Sequence, residues 1–114
     1  MPMIKHFSIF LIWTVFTLVG LDLFAYDKAS FERLLRTKKC PQCDFYRASF
    51  DRLDLRGANL NGAKLAYATF RETTLYAADL TGADLRGTVF DGAIWIDGSV
   101  CQAGSVGECR RKQP

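Results

Sequence analysis

From Phe45 to Trp95 every fifth residue is large and apolar: Phe45, Phe50, Leu55, Leu60, Leu65, Phe70, Leu75, Leu80, Leu85, Phe90 and Trp95. An amphipathic helix needs apolar residues every three or four positions, and a half-buried strand every two. A strict period of five fits neither. Two residues before each large position stands a small or medium one: Cys43, Ala48, Leu53, Ala58, Ala63, Ala68, Thr73, Ala78, Ala83, Thr88 and Ala93. In extended backbone, residues two apart point the same way. Both series therefore face one interior, and the residue between them faces out. The other two residues of each unit must turn the chain. Five units end in glycine, at Gly57, Gly62, Gly82, Gly87 and Gly92, which suits a turn that needs unusual backbone angles. Each unit is then a short side plus a corner.

Ala58-Asn59-Leu60-Asn61-Gly62, Ala78-Asp79-Leu80-Thr81-Gly82 and Ala83-Asp84-Leu85-Arg86-Gly87 resemble the A(D/N)LxG consensus of the pentapeptide-repeat proteins. The resemblance covers Cys43 to about Trp95. It implies an all-β solenoid, a right-handed quadrilateral β-helix with four units to a coil, and hence nearly three coils here. The residues carry an independent check on a 20-residue coil. At that spacing Phe50, Phe70 and Phe90 fall into one column. Among outward positions, Asp51, Arg71 and Asp91 share a column, as do Asp44, Lys64 and Asp84, and Arg52 lies over Glu72. Opposite charges on neighbouring rungs attract, although each exposed pair contributes only a few tenths of a kcal/mol.

Both ends of a solenoid expose apolar core and unpaired backbone, so caps are expected. Residues 26–42 are read as an N-terminal cap ending in a CxxC pair, 43–97 as the β-helix, and 98–114 as a C-terminal cap with a basic tail. Phe31, Leu34 and Leu35 recur at helical spacing within Asp27–Thr37, and Cys40-Pro41 is expected to break that helix. The C-terminal segment from Asp97 to Cys109 reads as irregular and glycine-rich. Residues 1–25 have the order of a secretory signal helix: Lys5 and His6, an apolar run from Phe7 to Leu21, then Ala25 as a small residue at a cleavage point. That run has 15 residues, short of the roughly 20 a spanning helix needs. A retained anchor is the alternative. In both readings the rest of the chain is exported, to the periplasm or the cell exterior.

Four cysteines allow three pairings. The sequence-local one joins Cys40 to Cys43 and Cys101 to Cys109. Cys43 stands at an inward repeat position, so a bridge between the two ends stays open. An oxidising compartment and a small core both favour disulfides over zinc, and the second pair has the wrong spacing for a metal site. Cys40-x-x-Cys43 also admits a periplasmic thiol–disulfide redox factor. It follows the expected helix, however, whereas the dipole that activates such a pair lies at a helix N-terminus.

The single histidine is His6, within the expected signal, which removes Ser-His-Asp and Cys-His schemes from the exported part. Most carboxylates sit at outward repeat positions and read as a solvated face. Removing residues 1–25 takes away one lysine and one acid, so the net charge stays +3. Cys43–Asp97 holds six basic and eight acidic residues. Neither value suits a nucleic-acid-binding face. Arg110, Arg111 and Lys112 read as a frayed tail, with anionic lipid as the alternative. Tyr46, Tyr67 and Tyr76 face outward and read as ordinary surface tyrosines, with a partner surface as the alternative. The chain is therefore expected to be a non-enzymatic structural or interaction module of a bacterial envelope. The expectation includes a protein partner, no nucleic acid, no small-molecule substrate, no cofactor and no metal. Membrane contact is expected only through a retained anchor. The resemblance also brings a remote alternative, the gyrase-binding DNA mimics, from which this chain departs by its length, its positive charge and its signal.

Overall fold

The computed structural model describes residues 26–112. The expected signal sequence, residues 1–25, lies outside the described residues.

Between Lys39 and Ile94 the chain winds into a tube of three coils. Parallel bridges join residues 20 apart in four columns: Lys39–Asn59–Asp79 (side 1), Asp44–Lys64–Asp84 (side 2), Ser49–Thr69–Val89 (side 3) and Asp54–Thr74–Ile94 (side 4). Each side contributes an isolated bridge on each rung, not an extended strand, because a five-residue unit leaves only about three residues straight before the next corner. The expected series begins one unit too late. Cys40 takes the first inward position and is fully buried, and its spacing of five from Phe45 is the signal for it.

The corners explain the period. At each, the third residue after an inward large residue donates its N–H back to that residue's carbonyl, as Ala48 does to Phe45 at 3.0 Å and Ala63 to Leu60 at 3.1 Å. The second turn residue has positive φ at every corner. Glycine supplies it at five of them, but Gln42, Arg47, Arg52, Tyr67, Glu72 and Ala77 adopt φ of 56–61°. The left-handed region costs a non-glycine residue about 1–2 kcal/mol. The ladder overrides that preference because the corner must close whatever residue occupies it. The outward Asp or Asn of the unit then caps the corner. Asp44, Asp54, Asn59, Asp79 and Asp84 each accept the backbone N–H two residues on, at 2.9–3.2 Å. Side-chain closure of this kind is the reason Asx residues favour turns.

The interior is a set of stacked columns. Phe50, Phe70 and Phe90 lie nearly parallel, with centroids 4.7 and 5.5 Å apart. Thr73 and Thr88, in slots where Ala is usual, are fully buried. Their hydroxyls donate to the carbonyls of Phe50 at 2.6 Å and Leu65 at 2.8 Å on the coil below. A buried hydroxyl is tolerated only when bonded in this way.

Helix α1, Lys28–Thr37, lies against the first coil. Asp27 is its N-cap, accepting from Ala29 N–H at 3.1 Å and from the Ser30 hydroxyl at 2.8 Å. Leu34 is buried, and Phe31 extends the aromatic column by stacking on Phe50 at 5.0 Å. Leu35, expected on the same face, is instead 36% exposed, since it lies about 100° round the helix from Leu34. The helix ends at Thr37, before the Cys40-Pro41 step expected to break it. Lys38 turns left-handed, with φ 60°, and its N–H donates to the Leu34 carbonyl.

The C-terminal segment is more ordered than its composition suggests. After Gly98 it reverses and pairs antiparallel with the last coil, Val100 with Ile94 and Val106 with Val89. This roofs sides 4 and 3. Trp95 sits half-buried beneath it, edge-on to Phe90 at 4.9 Å.

Candidate interaction surface

The same reversal leaves sides 1 and 2 of the third coil without a roof. One coil below, Leu60, Gly62, Leu65 and Tyr67 donate their N–H groups upward to Asp79, Thr81, Asp84 and Arg86 at 2.8–3.0 Å. The corresponding donors on the third coil, Leu80, Gly82, Leu85 and Gly87, have no such acceptor among the described residues. Leu80, Ala83 and Leu85, expected in the lining with the rest, are only half-buried, whereas Leu60, Ala63 and Leu65 below them are fully enclosed. Of the large series, Phe45 to Leu75 and Phe90 are fully buried, whereas Leu53, expected inward in the small series, is half-buried. Around this end stand Ile94, Ile96, Val100 and Val106, exposed by 37, 38, 60 and 53%. An open parallel edge is a ready template for another chain.

Elsewhere the surface is polar and mostly self-satisfied. Arg71 pairs with Asp51 at 3.7 Å and Arg52 with Glu72 at 3.3 Å, both across rungs as the columns suggest. Two other members of the charge columns differ. Asp84 turns to Arg86 at 2.7 Å instead of to Lys64, and Asp91 accepts from the Ser105 N–H at 2.9 Å. Within one unit, Arg56 likewise pairs with Asp54 at 2.8 Å. The Arg56 side chain and its backbone N–H hold Asp54 down at about 2, and Arg86 does the same for Asp84. The acidic outward positions are thus turn caps and ion-pair partners. On side 2, Tyr46 and Tyr67 meet edge-to-face at 5.8 Å beside a shallow cleft of about 500 Å³ whose floor includes Ala66. Tyr76 is half-exposed next to Gly98.

The structure joins Cys40 to Cys43 and Cys101 to Cys109, with Cα atoms 5.5 and 5.0 Å apart. No bridge links the two ends, since the caps lie three coils apart. Each pair closes its own end. Cys101 is part of the roof, where its N–H donates to the Ala93 carbonyl and its carbonyl accepts from the Gly92 N–H. Sequence reasoning missed one neighbour of the first pair. The guanidinium of Arg33, on α1, lies 3.1 Å from Cys40 Sγ and 3.0 Å from Cys43 Sγ. No motif marks that contact, because it depends on how the helix lies on the coil.

The family description "Pentapeptide repeats" matches residues 39–65 and 54–92, in 8 copies. Among solved structures the chain is similar to HetL, a pentapeptide repeat protein involved in heterocyst differentiation regulation from the cyanobacterium Nostoc sp. strain PCC 7120. The TM-score is 0.53 and the identity 37%, over 54% of this chain and 30% of HetL. The chain thus spans under a third of that relative. No curated protein matches it.

Proposed function

From the premise that this chain belongs to the pentapeptide-repeat family and folds as its right-handed β-helix solenoid, we propose that it is a protein-interaction module of the bacterial envelope, exported by its N-terminal segment. Proteins of this family are generally non-enzymatic interaction or structural modules. The observation that carries the reading is the half-roofed C-terminal end: on sides 1 and 2 the ladder donors of Leu80, Gly82, Leu85 and Gly87 meet no ladder acceptor among the described residues, and the roofed sides of the same end carry the exposed side chains of Ile94, Val100 and Val106. A protein partner that adds backbone to this edge and covers those side chains would gain hydrogen bonds and apolar burial together. Two bridges, one at each end, suit an oxidising compartment, and the basic, apolar and small-residue order of residues 1–25 suits export.

The test uses the exported, tagged chain as bait in an envelope extract, beside a Val100→Lys/Val106→Lys variant. Both valines are more than half exposed, so the variant should keep its thermal midpoint. A partner retained by the wild type and released by the variant supports the reading. Equal retention by both, or recovery of the chain in the cytoplasmic fraction, overturns it.

A further inference from the structure

We propose that the Cys40–Cys43 disulfide is a redox-responsive site, reducible by a dithiol, with Arg33 as the cation that holds the thiolate released on reduction. Arg33 reaches both sulfurs at 3.0–3.1 Å and forms no ion pair with a carboxylate among the described residues. A disulfide sulfur is neutral and a weak acceptor. A thiolate carries a full charge and is the form an adjacent arginine favours. The guanidinium therefore stabilises the reduced state more than the oxidised one, which makes the pair a stronger oxidant. The helix dipole acts the other way, since Cys40 follows the C-terminal end of α1. That partial charge is spread over the last carbonyls, while Arg33 is a full charge in contact with both sulfurs. Cys101–Cys109 has no cationic side chain within hydrogen-bonding distance among the described residues, so the protein carries its own control.

The exchange follows from burial. Cys43 keeps 8% of its surface exposed and Cys40 none, so the reductant's thiolate attacks Cys43 Sγ. A mixed disulfide forms there, the Cys40–Cys43 bond breaks, and its electron pair leaves on Cys40 Sγ beside Arg33. The reductant's second thiol gives its proton to Cys43 as its sulfur closes the reductant's own disulfide. Two electrons pass from the dithiol to the cysteine pair, which ends as Cys40 thiolate and Cys43 thiol. Reduction thereby replaces a cross-link by an ion pair between the first coil and α1. This inference stands whether or not the C-terminal end binds a partner.

The test equilibrates the oxidised full chain with graded ratios of reduced to oxidised dithiothreitol. Samples are quenched in acid and alkylated, and each cysteine pair is quantified by mass spectrometry. Arg33→Met should make Cys40–Cys43 at least tenfold harder to reduce, about 30 mV, and leave Cys101–Cys109 unmoved. Arg33→Lys should recover part of the loss. A shift under threefold, or an equal shift in both pairs, overturns the proposal. A second measurement needs no variant. Absorbance near 240 nm in the reduced wild type should show one thiolate already formed at neutral pH, and titration of every thiol near the ordinary value of about 8.5 overturns the proposal as well.

Discussion

Replacing Phe70 with leucine asks how much the aromatic column contributes beyond filling space. Phe70 is fully buried, with its ring between Phe50 at 4.7 Å and Phe90 at 5.5 Å. Each such aromatic contact adds about 0.5–1.5 kcal/mol beyond area burial, so losing two removes roughly 1–3 kcal/mol. The change of shape adds less than about 1.5 kcal/mol. A total near 2–3 kcal/mol corresponds to a fall of roughly 10–20 °C in thermal midpoint for a domain of this size. The assay is urea and thermal unfolding with both disulfides intact, beside Leu75→Met as a control. Leu75 is equally buried in the same coil but takes part in no ring stack, and its variant should lose under about 1.5 kcal/mol. A Phe50→Leu/Phe70→Leu cycle should show coupling of about 0.5–1.5 kcal/mol. If Phe70→Leu costs no more than Leu75→Met, or the cycle shows no coupling, the column is mere filling and the reasoning fails.

Ala77 holds φ 60° and Gly57 φ 67° at equivalent corners. Ala77→Gly should therefore stabilise by roughly 0.5–1 kcal/mol, the left-handed strain less the added chain entropy. Gly57→Ala, where a methyl group meets nothing within 4 Å, should destabilise by a similar amount, and urea midpoints read both. Thr88→Val keeps the shape but removes the hydroxyl bond to Leu65, so a loss of roughly 0.5–1.5 kcal/mol is expected; an unchanged midpoint would show that bond to be incidental. Asp54 and Asp84 are depressed from 3.8 to about 2 in the folded state. Their contribution is complete above the unfolded value and disappears as pH falls through the folded one. Acid titration should show stability level from neutrality to about pH 4, then declining toward pH 2. Asp54→Asn/Asp84→Asn should flatten that decline, and an equally steep one in the variant would assign it to other groups.

The tube itself is written in local chemistry. A period of five cannot satisfy a helix or a strand, so the inward series and the corners follow from the residues alone, while the Phe50–Phe70–Phe90 column also needs the four-unit coil that the family resemblance implies. Helix α1 follows from the periodicity of Phe31 and Leu34, whereas the four cysteines allow three pairings, and the structure decides for the sequence-local one. What escaped were matters of long-range placement. Asp84 meets Arg86 instead of Lys64 because a carboxylate already bonded to the Arg86 N–H lies closest to that residue's own guanidinium. The tail pairs with sides 3 and 4 because the chain reverses after Gly98, which its glycine content does not reveal. From that reversal alone comes the exposed edge at Leu80 and Leu85, two residues identical in pattern to their buried counterparts. The contact between Arg33 and the sulfurs likewise depends on how α1 docks. Repeat and corner are short-range and recur in every unit, whereas each end of the tube occurs once, and its packing is decided only when the whole coil is in place.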